Sequence, residues 1–141
     1  MNFLRSLDIS ASGLYAQRKR MNVIASNLAN IETTHTKRGG PYRRKMVAMS
    51  TKPIQDFNRM LTLQAEGVKI DRIVEDKSPF RKVFDPGHPD ADKEGYLLKP
   101  NVDLIVEITN MLMATRAFEA NIAALKSTRE MALKALEIGK Q

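Results

Sequence analysis

Apolar and small side chains recur toward the C-terminal end of the chain in alternating steps of four and three: Leu104, Ile108, Met111, Thr115, Phe118, Ile122 and Leu125. That spacing is a coiled-coil seam. Beyond Leu125 the same register would bring in Arg129, so the stripe passes to Thr128, Met131, Ala132, Ala135 and Ile138. Asn101 is a suitable N-cap, Asp103 places negative charge in the first turn, and Gly139 ends the run. No proline or glycine interrupts it, so the pattern predicts one helix over 101–138. Roughly 37 helical residues reach about 55 Å. A stripe of that length needs a second long helix beside it, from this chain or from a neighbour.

The second periodic segment spans residues 3–31, where Leu4, Leu7, Ala11, Leu14, Met21, Ala25 and Leu28 share one heptad register broken only by Arg18. Gly13 costs a helix about 1 kcal/mol relative to alanine, and Ser10, Ser12, Ser26 and Asn27 add little propensity. Alone this helix is marginal, and packing against the C-terminal helix is what would stabilise it. Between the two, the period changes. Lys37 to Pro41 is turn chemistry, Tyr42–Met49 is a predicted strand, and Gly67–Val74 is a second strand expected to pair with it. Thr51–Leu63 is ambiguous. Pro79, Pro86, Gly87 and Pro89 argue against regular structure through their stretch, and Gly95–Leu98 is a short extended piece. The expected fold is mainly α: long N- and C-terminal helices in an antiparallel coiled-coil pair, with a small β-rich central insertion. The corresponding division is 1–33, 34–100 and 101–141.

Composition narrows the function. The 141 residues are 43% hydrophobic, which excludes a wholly disordered chain, yet only 6% aromatic, so buried contacts are made by Leu, Ile, Val, Met and Ala. Zero cysteines remove disulfides, thiolate metal sites and cysteine nucleophiles. There is no apolar run of 18 residues and no signal-peptide h-region, so by ordinary routes the chain stays in the cytosol and does not insert in a membrane. His35 and His88 stand far apart in expected loops, and no catalytic triad, phosphate loop or dinucleotide fingerprint is present. Asp90 to Gly95 imitates the start of a calcium loop, but its twelfth position is Asn101 and Lys93 adds positive charge, so an acidic turn is the better reading. No cofactor is expected.

A net charge of +7 predicts an acidic partner. Lys37, Arg38, Arg43, Arg44 and Lys45 surround Tyr42, and Arg18 to Arg20 lie on the first helix. A strand end there would present Arg43 and Arg44 outward, to an acidic neighbour or wall polymer. No helix-turn-helix, finger or stacking-aromatic pattern accompanies these clusters, which argues against nucleic acid. A basic helical protein binding nucleic acid or a membrane surface is the alternative class, recognisable by steep salt sensitivity.

Two motifs carry a family resemblance. Ser12-Gly13-Leu14-Tyr15-Ala16-Gln17, continuing through Met21 to Ser26-Asn27-Leu28-Ala29-Asn30, resembles the N-terminal signature of bacterial flagellar basal-body rod and hook proteins. Gly95-Tyr96-Leu97 followed by Pro100-Asn101-Val102-Asp103, then Thr115 to Asn121, is similar to their C-terminal signature. Short length, Gly40-Pro41-Tyr42-Arg43 and Asp85-Pro86-Gly87-His88-Pro89 point to the proximal-rod branch. Ile31 to Thr36 departs from the commoner Asn-Thr-Thr-Gly-Tyr type ending. The resemblance implies a non-enzymatic subunit of the periplasmic rod, passed unfolded through the flagellar type III export apparatus without a cleaved signal peptide. It also implies helical polymerisation through the terminal helices, with other rod proteins and copies of itself as partners and peptidoglycan as a further candidate contact. On this reading the assembly seam is Leu4, Leu7, Leu14, Met21 and Leu28 on the first helix, with Ile108, Met111, Phe118, Ile122 and Leu125 on the second.

Overall fold

The computed structural model describes residues 3–53 and 66–139, with the side chains of Phe3, Leu4, Lys52, Pro53 and Glu66 outside that description. Helix α1 spans Phe3–Ala29 and helix α2 spans Leu104–Ile138. Between them lie strands β1 (Lys45–Pro53), β2 (Glu66–Glu75), β3 (Arg81–Phe84) and β4 (Tyr96–Lys99). The side chain of the seam position Leu4 lies outside the description, as do residues 54–63, most of the ambiguous stretch; Thr51 belongs to β1.

Both long helices form where the periodicity places them, but α2 starts later than its expected cap. Asp103, not Asn101, is the N-cap: its Oδ1 accepts the backbone N–H groups of Ile105 and Val106 at 2.9 and 3.0 Å. A carboxylate at the positive end of the helix dipole satisfies two otherwise orphaned donors. Asn101 is thereby free for a different task. At the far end Gly139 closes α2 by donating its N–H to the Ala135 carbonyl at 3.2 Å, in a right-handed conformation that does not itself require glycine.

The helices lie antiparallel. Asn27 touches Glu107, Met21 touches Thr115, and Gly13 faces Asn121, so residue numbers fall along α1 as they rise along α2. Gly13 marks a close approach, since an added Cβ would stand 3.0 Å from the Asn121 side-chain oxygen. The buried line on α1 runs through Gly13, Ala16, Val23, Ile24 and Asn27, leaving Ala11 and Ala25 exposed and Leu7, Leu14, Met21 and Leu28 half-buried at its border. On α2 Glu107 and Ala114 are buried, and Met111, Thr115, Phe118, Asn121, Ile122 and Leu125 are among the half-buried positions. The two fully buried positions each lie one residue before the apolar register read in sequence, so the centre of the covered face is rotated from that register. Of the expected seam, Met111, Thr115, Phe118, Ile122 and Leu125 are half-buried, whereas Leu104 and Ile108 are 51% and 53% exposed.

β1 and β2 pair antiparallel with a bulge between Ala48 and Met49, confirming the expected pairing while moving the start of β1 from Tyr42 to Lys45. This ribbon runs back along α1: the Val68 N–H reaches Ser12 Oγ at 3.0 Å, and Lys45 meets Asn27 near the other end of the helix. The proline-rich stretch is more regular than its composition suggests. β3 fits between Pro79 and Pro86 and pairs antiparallel with β4, so neither proline has to donate within the ladder. Gly95, at φ 80°, ends the connecting turn beneath the Phe84 ring, where a Cβ would come within 2.9 Å of a ring carbon. Phe84 then stacks edge-to-face on Tyr96.

Candidate functional site

The side chains with chemistry collect where α1 ends, β1 begins and α2 starts. Asn27, on the last turns of α1, is fully buried and uses every polar position of its amide. Its Nδ2 donates to the Lys45 carbonyl and to Glu107 Oε2, each at 2.9 Å. Its Oδ1 accepts the Lys45 N–H at 2.9 Å and the Tyr42 hydroxyl at 3.0 Å. An amide can copy a backbone peptide in this way, so one side chain of α1 fixes the first residue of the sheet and ties it to α2.

Glu107 faces Asn27 from the first turns of α2, where only 1% of it is exposed. A buried carboxylate is costly unless it is paired and hydrogen-bonded. Here Arg44 supplies the charge: its Nε and Nη2 lie 2.8 and 2.7 Å from Glu107 Oε1, while Oε2 takes the bond from Asn27. The Arg44 N–H donates to Asn101 Oδ1 at 2.8 Å, and Asn101 Nδ2 donates to the Ser78 hydroxyl at 2.8 Å and to the Asp76 carbonyl at 3.2 Å. Asp76 stands 3.5 Å from the same guanidinium. Its carboxyl is held below the ordinary range chiefly by the Ser78 backbone N–H and hydroxyl, with Arg44 helping and partial burial opposing.

Five segments therefore meet in one polar network: the end of α1, the Tyr42–Lys45 strand entry, the turn after β2, the Asn101 loop and the start of α2. The motif residues explain themselves here. Ser26 Oγ lies 3.3 Å from the Tyr42 hydroxyl, and its carbonyl accepts from the Asn30 side chain at 2.8 Å, closing the helix terminus. Pro100 and Val102 are buried on either side of Asn101. Leu28 is half-buried and Ala29 exposed.

The basic loop divides in two, which corrects its reading as a single outward-facing patch. Arg44 turns inward to Glu107. Arg43 donates to the Asp76 and Ser78 carbonyls at 2.9 and 3.1 Å and lies 4.3 Å over the Phe80 ring. Lys45 is fixed through its backbone, with its ammonium 5.5 Å from the centre of the Tyr42 ring. Only Lys37 and Arg38 project into solvent; the Arg38 side chain is 89% exposed beside Glu75. The reason is the buried carboxylate, which outbids solvent for the nearest guanidinium.

Glu107 is hidden in the sequence because the neighbouring α2 register, apolar at every position but Thr115, makes the better seam. The detectable signal is a carboxylate one position from that seam and four positions after Asp103 of the Asn101-Val102-Asp103 motif. The acidic turn also resolves: Asp92 Oδ1 accepts the N–H groups of Glu94 and Tyr96 at 2.9 and 2.8 Å, so this carboxylate organises the turn. Among the described residues no group of three or more acidic, His or Cys side chains is arranged to hold a metal ion, and no helix is long and apolar enough to cross a membrane.

The two halves of this junction coincide with two family models. One described as flagella basal body rod protein matches residues 7–35, and one described as flagellar basal body rod FlgEFG protein C-terminal matches residues 93–138. Across its length the chain is 46% identical over 151 residues to the flagellar basal-body rod protein FlgC of Bacillus subtilis (strain 168), covering 99% of this chain and 100% of that relative. The corresponding protein of Salmonella typhimurium (strain LT2) is 40% identical over 140 residues, with 99% of each chain covered. That of Borreliella burgdorferi is 36% identical over 149 residues, with 98% of each covered. Similarity therefore runs through the β ribbon and the Arg44 loop as well as both terminal motifs, and the chain belongs to the FlgC family of flagellar basal-body rod proteins.

Proposed function

We propose that this structural rod subunit polymerises helically through α1 and α2, which pack as a coiled-coil pair completed by neighbours, and that the resulting rod transmits torque from motor to hook. One observation carries this reading. The apolar residues that α1 leaves uncovered on α2 form a continuous outward stripe, with Ile105 76%, Ile108 53% and Leu112 58% exposed. A stripe of that kind on a monomer marks an association surface. Contacts between different faces of successive copies do not close on themselves and so build a helix. The division into a terminal unit, residues 1–33 with 101–141, and an insertion, residues 34–100, follows the same logic: the terminal helices assemble and the junction network fixes the insertion on them.

The partners in this reading are copies of the chain and other rod proteins, in the periplasm. Export through the flagellar type III apparatus suits a chain whose small core unfolds readily. The test is genetic and structural. A strain lacking this chain should assemble no rod beyond the motor and should not swim, and the wild-type chain supplied in trans should restore both. Restored swimming without the chain in purified basal bodies would overturn the role.

A further inference from the structure

The loop between α1 and β1 has chemically opposite surroundings on its two sides. On one side an open cleft of about 490 Å³ is lined by Lys37, Arg38, Arg43 and Lys45 over the aromatic floor of Tyr42 and Phe80, with Glu75 its only acidic side chain. Arg43 is held over Phe80 and Lys45 over Tyr42, so these two cations are fixed in place. Lys37 and Arg38 reach out from the rim, where Gly39 and Gly40, at φ 84° and 71°, turn the chain sharply. On the other side, the turn joining β3 to β4 carries Asp85, Asp90, Asp92 and Glu94 against a single Lys93. Thr34 donates its hydroxyl to the Asp90 carboxylate at 2.7 Å, anchoring the acidic turn beside the loop, where Asp90 and Asp92 line a second groove with Gly40 and Pro41.

We propose that the acidic β3–β4 turn of one copy docks in the basic cleft of the next copy. The proposal rests on the rod reading above and adds a specific lateral contact to it. No hydrogen bond or ion pair joins the acidic turn to the cleft cations among the described residues, so these complementary charges are available to meet across a contact between successive copies. The contact is heterologous, as a helical polymer requires. Cations preorganised on aromatic faces lose little freedom on meeting a carboxylate, and the mutual charge fixes register and discriminates against like-charged neighbours.

The test exchanges the charges in cells that carry this chain as their only copy. Lys37→Glu with Arg38→Glu reverses the cleft rim, and Asp85→Lys with Glu94→Lys reverses the turn. All four residues are exposed, so each purified variant should melt within a few degrees of wild type. Each pair of reversals should abolish spreading in soft agar and empty the basal bodies of the variant. The fourfold exchange should restore a substantial part of both, because the rim residues and the turn residues that face them are then complementary again while Arg43, Lys45, Asp90 and Asp92 keep their charges. If only the cleft reversal impairs assembly, or if the fourfold exchange is no better than the pairs, the cleft serves a different acidic partner, such as a wall polymer, and the proposal fails. It fails equally if no reversal has an effect. Failure of the wild-type chain to restore swimming to the deletion strain would instead overturn the rod reading, so the two failures are distinguishable.

Discussion

At the scale of single residues, the decisive contrast is between Arg44 and Arg38, six positions apart and alike in sequence. Arg44→Ala leaves the buried Glu107 without its cation, and breaking such a pair costs about 3–5 kcal/mol. Arg38→Ala removes a pair that is almost wholly in solvent, and a change within about 0.5 kcal/mol is expected. Urea unfolding of the two variants measures this directly. Replacing both partners, as Arg44→Met with Glu107→Leu, should cost less than either single change, because no charge is then stranded. Asp76 adds a pH dependence to the same network. Its folded-state pKa lies below its unfolded value, so its contribution is complete above about pH 4, the unfolded carboxylate value, and is lost as pH falls toward the lower folded value. Asp76→Asn should flatten the fall in urea midpoint between pH 5 and pH 3; an unchanged fall would remove Asp76 from the account.

At the scale of elements, Gly13 ceases to be a weakness in α1. It is a position where α2 approaches closely, with the Asn121 amide oriented by a bond from its Nδ2 to the Ala117 carbonyl at 2.9 Å. Gly13→Ala gains about 1 kcal/mol of helix propensity but crowds that amide, so the net change should be near zero or unfavourable. Gly13→Ala combined with Asn121→Ala should be more stable than Gly13→Ala alone, and a thermal melt of the three proteins gives the coupling. The helices were legible in sequence because their stripes are long and uninterrupted, and the β1–β2 pairing because alternation marks Gly67 onward. The face of α2 was not. Hydropathy favours a register that includes Leu104 and Ile108, which are exposed, whereas the chain buries Glu107 against Asn27 and sets Asn121 against Gly13. β3 was hidden for a different reason: prolines flank it without entering it. The inward turn of Arg44 was invisible for want of knowing that Glu107 would be buried, since a basic run has the same composition whichever way its members point.

At the scale of the whole molecule, the polar network and the outward stripe divide the work. Asn27, Arg44, Asn101 and Glu107 fix how the β ribbon sits on the helix pair, so that load applied to one is carried by the other. Among the described residues the buried apolar side chains beside them are Ala16, Val23, Ile24, Tyr42, Leu97, Val102 and Ala114. We therefore expect α1 and the end of α2 beyond Leu125 to exchange amide hydrogens faster than the β ribbon in the dilute monomer, and to become protected in the rod. Equal protection of both in the monomer would show that the helices do not depend on assembly. The central claim is that the apolar face of α2 turned away from α1 is buried by neighbouring subunits, and incorporation of an Ile108→Asp, Leu112→Asp variant into basal bodies tests it most directly. The account predicts a monomer that melts as wild type does and is exported normally, yet is missing from purified rods. Rods containing the variant at the wild-type level would contradict it.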